Sequence, residues 1–214
     1  MSSNRQAKID TILQWSIAMT TSPHANPIPA LAPGRLVSLA EFDRLCHDYP
    51  DLQLERTATG ELIAMPPTGS ETGILDHSIN GQLYVWNQQF KLGKCFSSSA
   101  GFTLPNGAIR SPDAAWISNN RWNALDQKAK KKFAPICPDF VIELVSPSDQ
   151  LQTTQAKMHE YIENGARLGW LIDPQNKQVT IYRGDRPAEV IENPAKLSGE
   201  NVLPEFELNL AEIW

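Results

Sequence analysis

The chain has 214 residues, of which 41% are hydrophobic and 20% charged, and its formal net charge is −5. This composition is typical of one globular domain with a short extension, and no apolar run reaches the ~18–20 residues that a membrane span needs. The negative charge argues against permanent attachment to nucleic acid, because such affinity comes from Lys and Arg neutralising phosphates. The three cysteines are far apart and form no CxxC pair, so neither a zinc knuckle nor a disulfide framework is indicated. No signal-peptide pattern occurs, and a cytoplasmic location is expected.

The first segments of the chain predict an extension followed by a helix and a hairpin. Residues 1–35 are expected to form an N-terminal extension, ahead of a single domain over residues 36–214. Ser38 to Glu41 resembles a capping box and predicts the start of a helix. Residues 52–55 and 61–65 alternate between apolar and polar around a Thr-Gly turn, which predicts a β-hairpin.

The remainder of the chain alternates helical and strand patterns. Apolar residues with a period near 3.6 predict a helix over residues 73–91, with Gly93 as its C-terminal cap. A second helix is predicted over residues 151–163. Strands are predicted at residues 95–99, 101–104, 113–117, 140–145, 168–172 and 178–182. The C-terminal apolar residues from Phe206 to Ile213 are expected to pack back on this α/β body.

Glu143 is the most informative residue in the sequence. It interrupts the apolar run 140–145, which reads as a strand buried on both faces. A carboxylate there is costly to desolvate unless an ion pair, a hydrogen bond or a metal ion offsets it. Asp113 opens a separate predicted strand, so the two carboxylates would meet at one sheet edge if those strands are neighbours. Their oxygens suit Mg²⁺, and a structural ion pair is the alternative.

Lys157 is the candidate basic partner of Glu143. It lies four residues before Tyr161 on the helix after the Glu143 strand, so both share one face that can look back at the carboxylate. A cation at this place can orient a nucleophilic water or stabilise developing phosphorane charge. An ordinary exposed helix lysine is the alternative.

A second group of cations lies in the dense basic run at residues 128–132. Lys130 and Lys131 at its centre are candidate phosphate contacts. The alternative is a solvated loop or helix end, because charge runs commonly serve solubility alone.

Several segments together resemble the Uma-type restriction endonuclease family, abundant in cyanobacteria, of the PD-(D/E)XK nuclease superfamily. They are Ser111-Pro112-Asp113, residues 138–149, Lys157 with Tyr161, and residues 169–174. The resemblance covers about residues 36–210. It implies a restriction-endonuclease-like α+β core with a mixed central β-sheet flanked by helices. It also implies hydrolysis of DNA phosphodiester bonds that depends on Mg²⁺, with Mn²⁺ as a possible substitute.

The resemblance also assigns roles within the site. Pro112-Asp113 resembles the PD element and Glu143 the acid of (D/E)XK, so the backbone carbonyl of Leu144 becomes the third metal ligand. The lysine of the motif should fall at Val145, which is apolar, and Lys157 is the matching position on the following helix.

Three further implications of the resemblance remain open. Related nucleases carry a Gln-x-x-x-Tyr motif on this helix, so Tyr161, and Lys157 with it, are candidate DNA contacts. A glutamate often joins from the first core helix, for which Glu71 is the first candidate and Glu55 the second. Their alternatives are a helix N-terminal acid and an exposed strand acid.

Homodimers are common in the superfamily, and a DNA-binding or regulatory protein with weak or lost catalysis is the alternative function.

Overall fold

The structure is a computed structural model that describes residues 31–32, 34–65, 67–147 and 149–214. The chain divides into two compact units, Met1–Pro67 and Thr68–Trp214. The predicted extension over residues 1–35 lies almost wholly outside the described residues, so its boundary stays a prediction. Among the described helices, none combines the length and the apolar character that crossing a membrane requires.

The first unit contains one helix and one hairpin. Its elements are α1 (Leu39–Asp48), β1 (Gln53–Arg56) and β2 (Leu62–Met65). Ser38 caps α1, and its hydroxyl accepts a hydrogen bond from the N–H of Glu41 at 3.2 Å. Strands β1 and β2 pair antiparallel, so the predicted helix start and the predicted hairpin are confirmed.

The second unit contains the central sheet. Its helices are α2 (Ser70–Phe90), α3 (Asn119–Ala124) and α4 (Leu151–Glu163), with a 3-10 helix at Ala129–Lys131. Its strands are β3 (Gly93–Ser97), β4 (Phe102–Thr103), β5 (Ile109–Arg110), β6 (Ala114–Ser118), β7 (Phe140–Leu144), β8 (Leu168–Asp173), β9 (Gln178–Arg183), β10 (Arg186–Glu192), β11 (Lys196–Ser198) and β12 (Glu207–Asn209).

Six of these strands form one mixed sheet. Their order is β10-β9-β8-β7-β6-β3. Strands β7 and β8 are parallel, and the other neighbouring pairs are antiparallel. Helix α4 connects the two parallel strands, as a parallel pair requires a crossover. The expected mixed central sheet is therefore confirmed.

Alternate residues of the buried strands enter two different hydrophobic cores, because side chains of a strand point to opposite faces. Ile142 and Trp170 pack on one face, with α2 and the C-terminal residues Phe206, Leu208, Leu210 and Ile213. Val141 and Leu171 pack on the other face, with Met158 and Tyr161 of α4. Helices thus flank the sheet on both sides, and the expected return of the C-terminal apolar residues is confirmed.

The end of α2 differs from the prediction. Lys91, in the left-handed conformation with φ 53°, caps the helix, whereas Gly93 begins β3. A Cβ on Gly93 would lie 2.2 Å from the carbonyl oxygen of Ile117 and 2.4 Å from the ring of Trp116. The glycine is needed for the close approach of β3 to β6, so its prediction as a helix cap was wrong.

Candidate active site

Strands β6 and β7 bring Asp113 and Glu143 to the same edge of the sheet. Their antiparallel register pairs Ala114 with Ile142, which places Asp113 opposite Glu143 one step further along. The carboxylate of Asp113 accepts a hydrogen bond from the N–H of Leu144 at 2.7 Å. The end of the β6–β7 pairing is thus where three residues meet. We call them the carboxylate edge: Asp113, Glu143 and Leu144.

Glu143 is buried, with 5% of its surface exposed, and every residue of its strand is buried. The ammonium of Lys157 reaches both carboxylate oxygens, at 2.9 Å from Oε1 and 3.0 Å from Oε2. The hydroxyl of Tyr161 donates to Oε1 at 3.0 Å. A cation and a phenol therefore offset the desolvation that a lone carboxylate would suffer.

Helix α4 delivers both partners because it packs on the sheet face towards which Glu143 points. Glu143 is two residues from Val141, whose side chain belongs to the core beneath α4. A Cβ on Gly169 of β8 would lie 2.5 Å from Cε of Met158, so helix and sheet approach closely. One turn separates Lys157 from Tyr161, and the Lys157 ammonium lies 5.9 Å from the Tyr161 ring centroid.

A second ion pair ties α4 to the strand that precedes Asp113. Arg110 of β5 donates to Glu160 at 2.6 Å, and both side chains are largely buried. Asn106 lies in the turn between β4 and β5, and its side-chain Nδ2 donates to Oε1 of Glu160 at 2.9 Å. Because Glu160 neighbours Tyr161, this network fixes the helix that holds Glu143. No sequence signal marked it, since its partners lie 50 or more residues apart.

The structure separates the two candidate glutamates by their exposure. Glu71 is exposed in the first turn of α2 and makes no side-chain hydrogen bond or ion pair with the described residues. Glu55, on β1, is 2% exposed, so the alternative of an exposed strand acid was wrong. Membership of either residue in the site stays a prediction.

The predicted DNA contacts lie in different surroundings. Tyr161 is fully buried, and its hydroxyl donates to Glu143, so its role as a DNA contact stays a prediction. Lys130 and Lys131 lie in the 3-10 helix, where Lys131 is exposed and the Lys130 ammonium lies 5.6 Å from the Trp122 ring centroid. No hydrogen bond or ion pair brings these lysines to the carboxylate edge within the described residues.

The donor set of the carboxylate edge can be tested against a hard divalent cation. Two carboxylates and one peptide carbonyl offer oxygen alone, the chemistry that Mg²⁺ and Mn²⁺ prefer. In the part of the chain that the structure describes, no three His, Cys, Asp or Glu side chains gather to hold a metal. Asp113 and Glu143 supply two carboxylates, and Mg²⁺ commonly takes one or two, with water and substrate phosphate in its other positions, so the donor set is compatible with such an ion.

Comparisons with known proteins identify the family and the fold of the chain. The family model "Uma2: Putative restriction endonuclease" matches residues 39–211, whereas the search of curated proteins found no match. A crystal structure of a "putative nuclease belonging to DUF820" from Anabaena variabilis ATCC 29413 is similar, with a TM-score of 0.64 and 18% identity. The alignment covers 75% of this chain and 88% of that one, which shows a shared, restriction-endonuclease-like fold. Since the family model matches most of its length, the chain belongs to the Uma2 family.

Proposed function

We propose that this protein is a metal-dependent DNA endonuclease that hydrolyses phosphodiester bonds at the carboxylate edge. The observation that carries the proposal is the placement of Glu143: buried in the central sheet, opposite Asp113, and held by Lys157 at 2.9 Å. A second carboxylate, a main-chain carbonyl and a cation around one buried acid match the needs of phosphodiester hydrolysis. The family name and the name of the structural neighbour support a nuclease.

Mg²⁺, or Mn²⁺ in its place, would be held by Asp113, Glu143 and the backbone carbonyl of Leu144. When bound, such an ion polarises the phosphodiester and lowers the pKa of a coordinated water. The remaining work falls to groups of the chain itself.

Lys157 has two tasks in this proposal. Its ammonium favours the ionised form of Glu143, because an opposite charge within hydrogen-bond distance stabilises a carboxylate. Its position beside the carboxylate edge also lets it orient the attacking water or stabilise the negative charge that develops on the phosphate. The Tyr161 hydroxyl donates to the Glu143 carboxylate from the core side, so the orientation of that carboxylate is fixed before DNA binds.

Plasmid cleavage in Mg²⁺ and in Mn²⁺ tests the proposal. Glu143→Gln, Asp113→Asn and Lys157→Met should each lower the cleavage rate by about 10²-fold or more, as the loss of one charge-stabilising group does in other enzymes. The matched control is Lys196→Met, which breaks an exposed Lys–Glu pair of 2.9 Å remote from the carboxylate edge. Its activity should equal that of the wild type.

Two outcomes would contradict the proposal, the first its activity and the second its site. One is the absence of cleavage by the wild type with every metal and DNA form offered. The other is full activity in Glu143→Gln, which would move the chemistry elsewhere.

A DNA-binding or regulatory protein without catalysis is the second candidate function. The observation that favours it is Val145, buried and apolar at the place of the motif lysine, combined with a Glu143 that already has Lys157 as a counterion. This function predicts DNA binding without cleavage. In fluorescence anisotropy, replacing Lys130 or Lys131 by Gln should lower the salt slope of binding by about one per lysine if that residue contacts a phosphate.

A homodimer is part of the endonuclease proposal. Two sites are needed to cut both strands of a duplex at one place, so we infer that the active form is a pair of chains. Analytical ultracentrifugation with and without DNA tests this, and a chain that stays monomeric on DNA and still makes double-strand breaks would contradict it.

A further inference from the structure

Asn80 of α2 touches the carboxylate edge from the sheet face opposite to α4. Its side-chain Nδ2 donates to the backbone carbonyl of Asp113 at 3.0 Å. The same nitrogen lies 3.0 Å from Oδ1 of Asp76 and 3.0 Å from the Asp76 carbonyl oxygen. One amide group therefore joins the carboxylate of Asp76 to the main chain of Asp113.

Asn80 binds the main chain at the point where strand β6 begins. Asp113 directly precedes Ala114, the first residue of that strand. Pro112, on its other side, has no N–H to donate. The hydrogen bond from Asn80 thus holds the carbonyl of the residue that leads into β6.

The negative charge of Asp76 is energetically unfavourable at this position. Its side chain is partly buried, and this burial raises its pKa, which means that the fold disfavours its charged form. Among the described residues no ion pair involves Asp76, and its side-chain hydrogen bond is the one to Asn80. The cost has an explanation if the carboxylate serves to orient the Asn80 amide.

We propose that Asn80 is a positioning residue of the active site and that Asp76 orients its amide. The pair fixes the backbone of Asp113, so that the Asp113 carboxylate keeps its 2.7 Å hydrogen bond with Leu144 and stays opposite Glu143. This inference rests on the proposed function, because it assumes that the carboxylate edge binds a divalent cation. Neither residue is itself a catalytic residue.

The test compares Asn80→Ala with Asn87→Ala, a matched variant seven residues along the same helix. The Asn87 amide donates to Gly93 at 3.0 Å and accepts from Trp116 at 2.9 Å, so it supports the same strand β6 away from Asp113. Isothermal titration with Mn²⁺ alone should show affinity about 10- to 100-fold weaker for Asn80→Ala, as for other groups that orient metal ligands. Asn87→Ala should lower the melting temperature and leave Mn²⁺ affinity unchanged.

Two variants of Asp76 sharpen the test. Asp76→Asn keeps an acceptor for the Asn80 amide and should retain most of the Mn²⁺ affinity. Asp76→Ala removes the acceptor and should weaken binding. If Asn80→Ala does not fold, this second variant carries the comparison.

The results separate this inference from the proposed function. The positioning role would be overturned if Asn80→Ala bound Mn²⁺ as tightly as the wild type. It would also be overturned if Asn87→Ala lost as much Mn²⁺ affinity as Asn80→Ala. A wild type that binds Mn²⁺ but cuts no DNA would contradict the endonuclease, and the comparison of affinities would still decide the role of Asn80. A wild type that binds no Mn²⁺ at the carboxylate edge would overturn both.

Discussion

Replacing Lys157 by Met tests whether the buried cation is the counterion of Glu143. The Lys157 side chain is 13% exposed and the Glu143 side chain 7%. Methionine fills a similar volume but leaves the carboxylate without its charged partner. Removing one member of a buried ion pair costs about 3–5 kcal/mol, because the remaining charge stays desolvated.

The expected loss can be read as a melting temperature. In a chain of this size, 1 kcal/mol corresponds to about 2–4 °C, so the variant should melt about 6–20 °C below the wild type. The exposed pair of Lys196 and Glu207, of the same length and 59% and 60% exposed, provides the comparison. Lys196→Met should cost about 0–1 kcal/mol, as exposed pairs do.

Titration with Mg²⁺ during thermal unfolding adds the functional part of this prediction. A cation that binds only the folded state stabilises it by about 2.7 kcal/mol when its concentration is 100 times its dissociation constant. At the carboxylate edge the ion would compensate the charge that Lys157 no longer balances. The gain on adding Mg²⁺ should therefore be larger in Lys157→Met than in the wild type, and absent in Lys157→Met combined with Glu143→Gln.

Two results would refute this reasoning. If Lys157→Met loses no more stability than Lys196→Met, then Lys157 is not the counterion that keeps Glu143 buried. If Mg²⁺ stabilises the double variant as much as Lys157→Met, the ion binds somewhere other than Glu143.

Three further predictions concern groups around and away from the site. Tyr161→Phe removes a hydrogen bond to the charged Glu143 and should cost about 1.5–3 kcal/mol in urea unfolding; a cost near zero would contradict that bond. Burial raises the pKa of Asp76, so its stabilising contribution is complete below the unfolded value of about 3.9 and is lost as pH rises through the raised pKa. Asp76→Asn should thus be more stable than the wild type at pH 7 and equal to it near pH 3. Burial raises the pKa of both Cys95 and Cys137 to about 12, so a thiol reagent at pH 8 should react slowly with them before unfolding and quickly after it.

The elements around Glu143 could be predicted because their signals are local. Helix α4 has the predicted bounds. Asp149 accepts a hydrogen bond from the N–H of Ser146 at 2.7 Å, a turn that polar residues mark in the sequence. Lys157 and Tyr161 are four residues apart, so helical geometry alone predicts that they share one face of α4. In the structure that face contacts Glu143.

The remaining features depend on partners that are distant in the sequence. Gly93 could not be recognised as a close-packing residue, because its requirement comes from Trp116 and Ile117 on another strand. The bond from Asn80 to Asp113 spans 33 residues, and no periodicity encodes it. Strand β10 is almost wholly exposed, so it lacks the apolar alternation by which a half-buried strand is recognised.

In the proposed site, Lys157 comes from helix α4 and not from strand β7, so the proposed chemistry and the packing of the core depend on different residues. A lysine at position 145 would have to serve catalysis while occupying a site in the core. Val145 belongs to the hydrophobic core beneath α4, and its N–H donates to Ile172 at 2.8 Å. Substitution of residue 145 should therefore change the stability of the sheet, whereas substitution of residue 157 should change the charge at its edge, so the two properties can be altered separately.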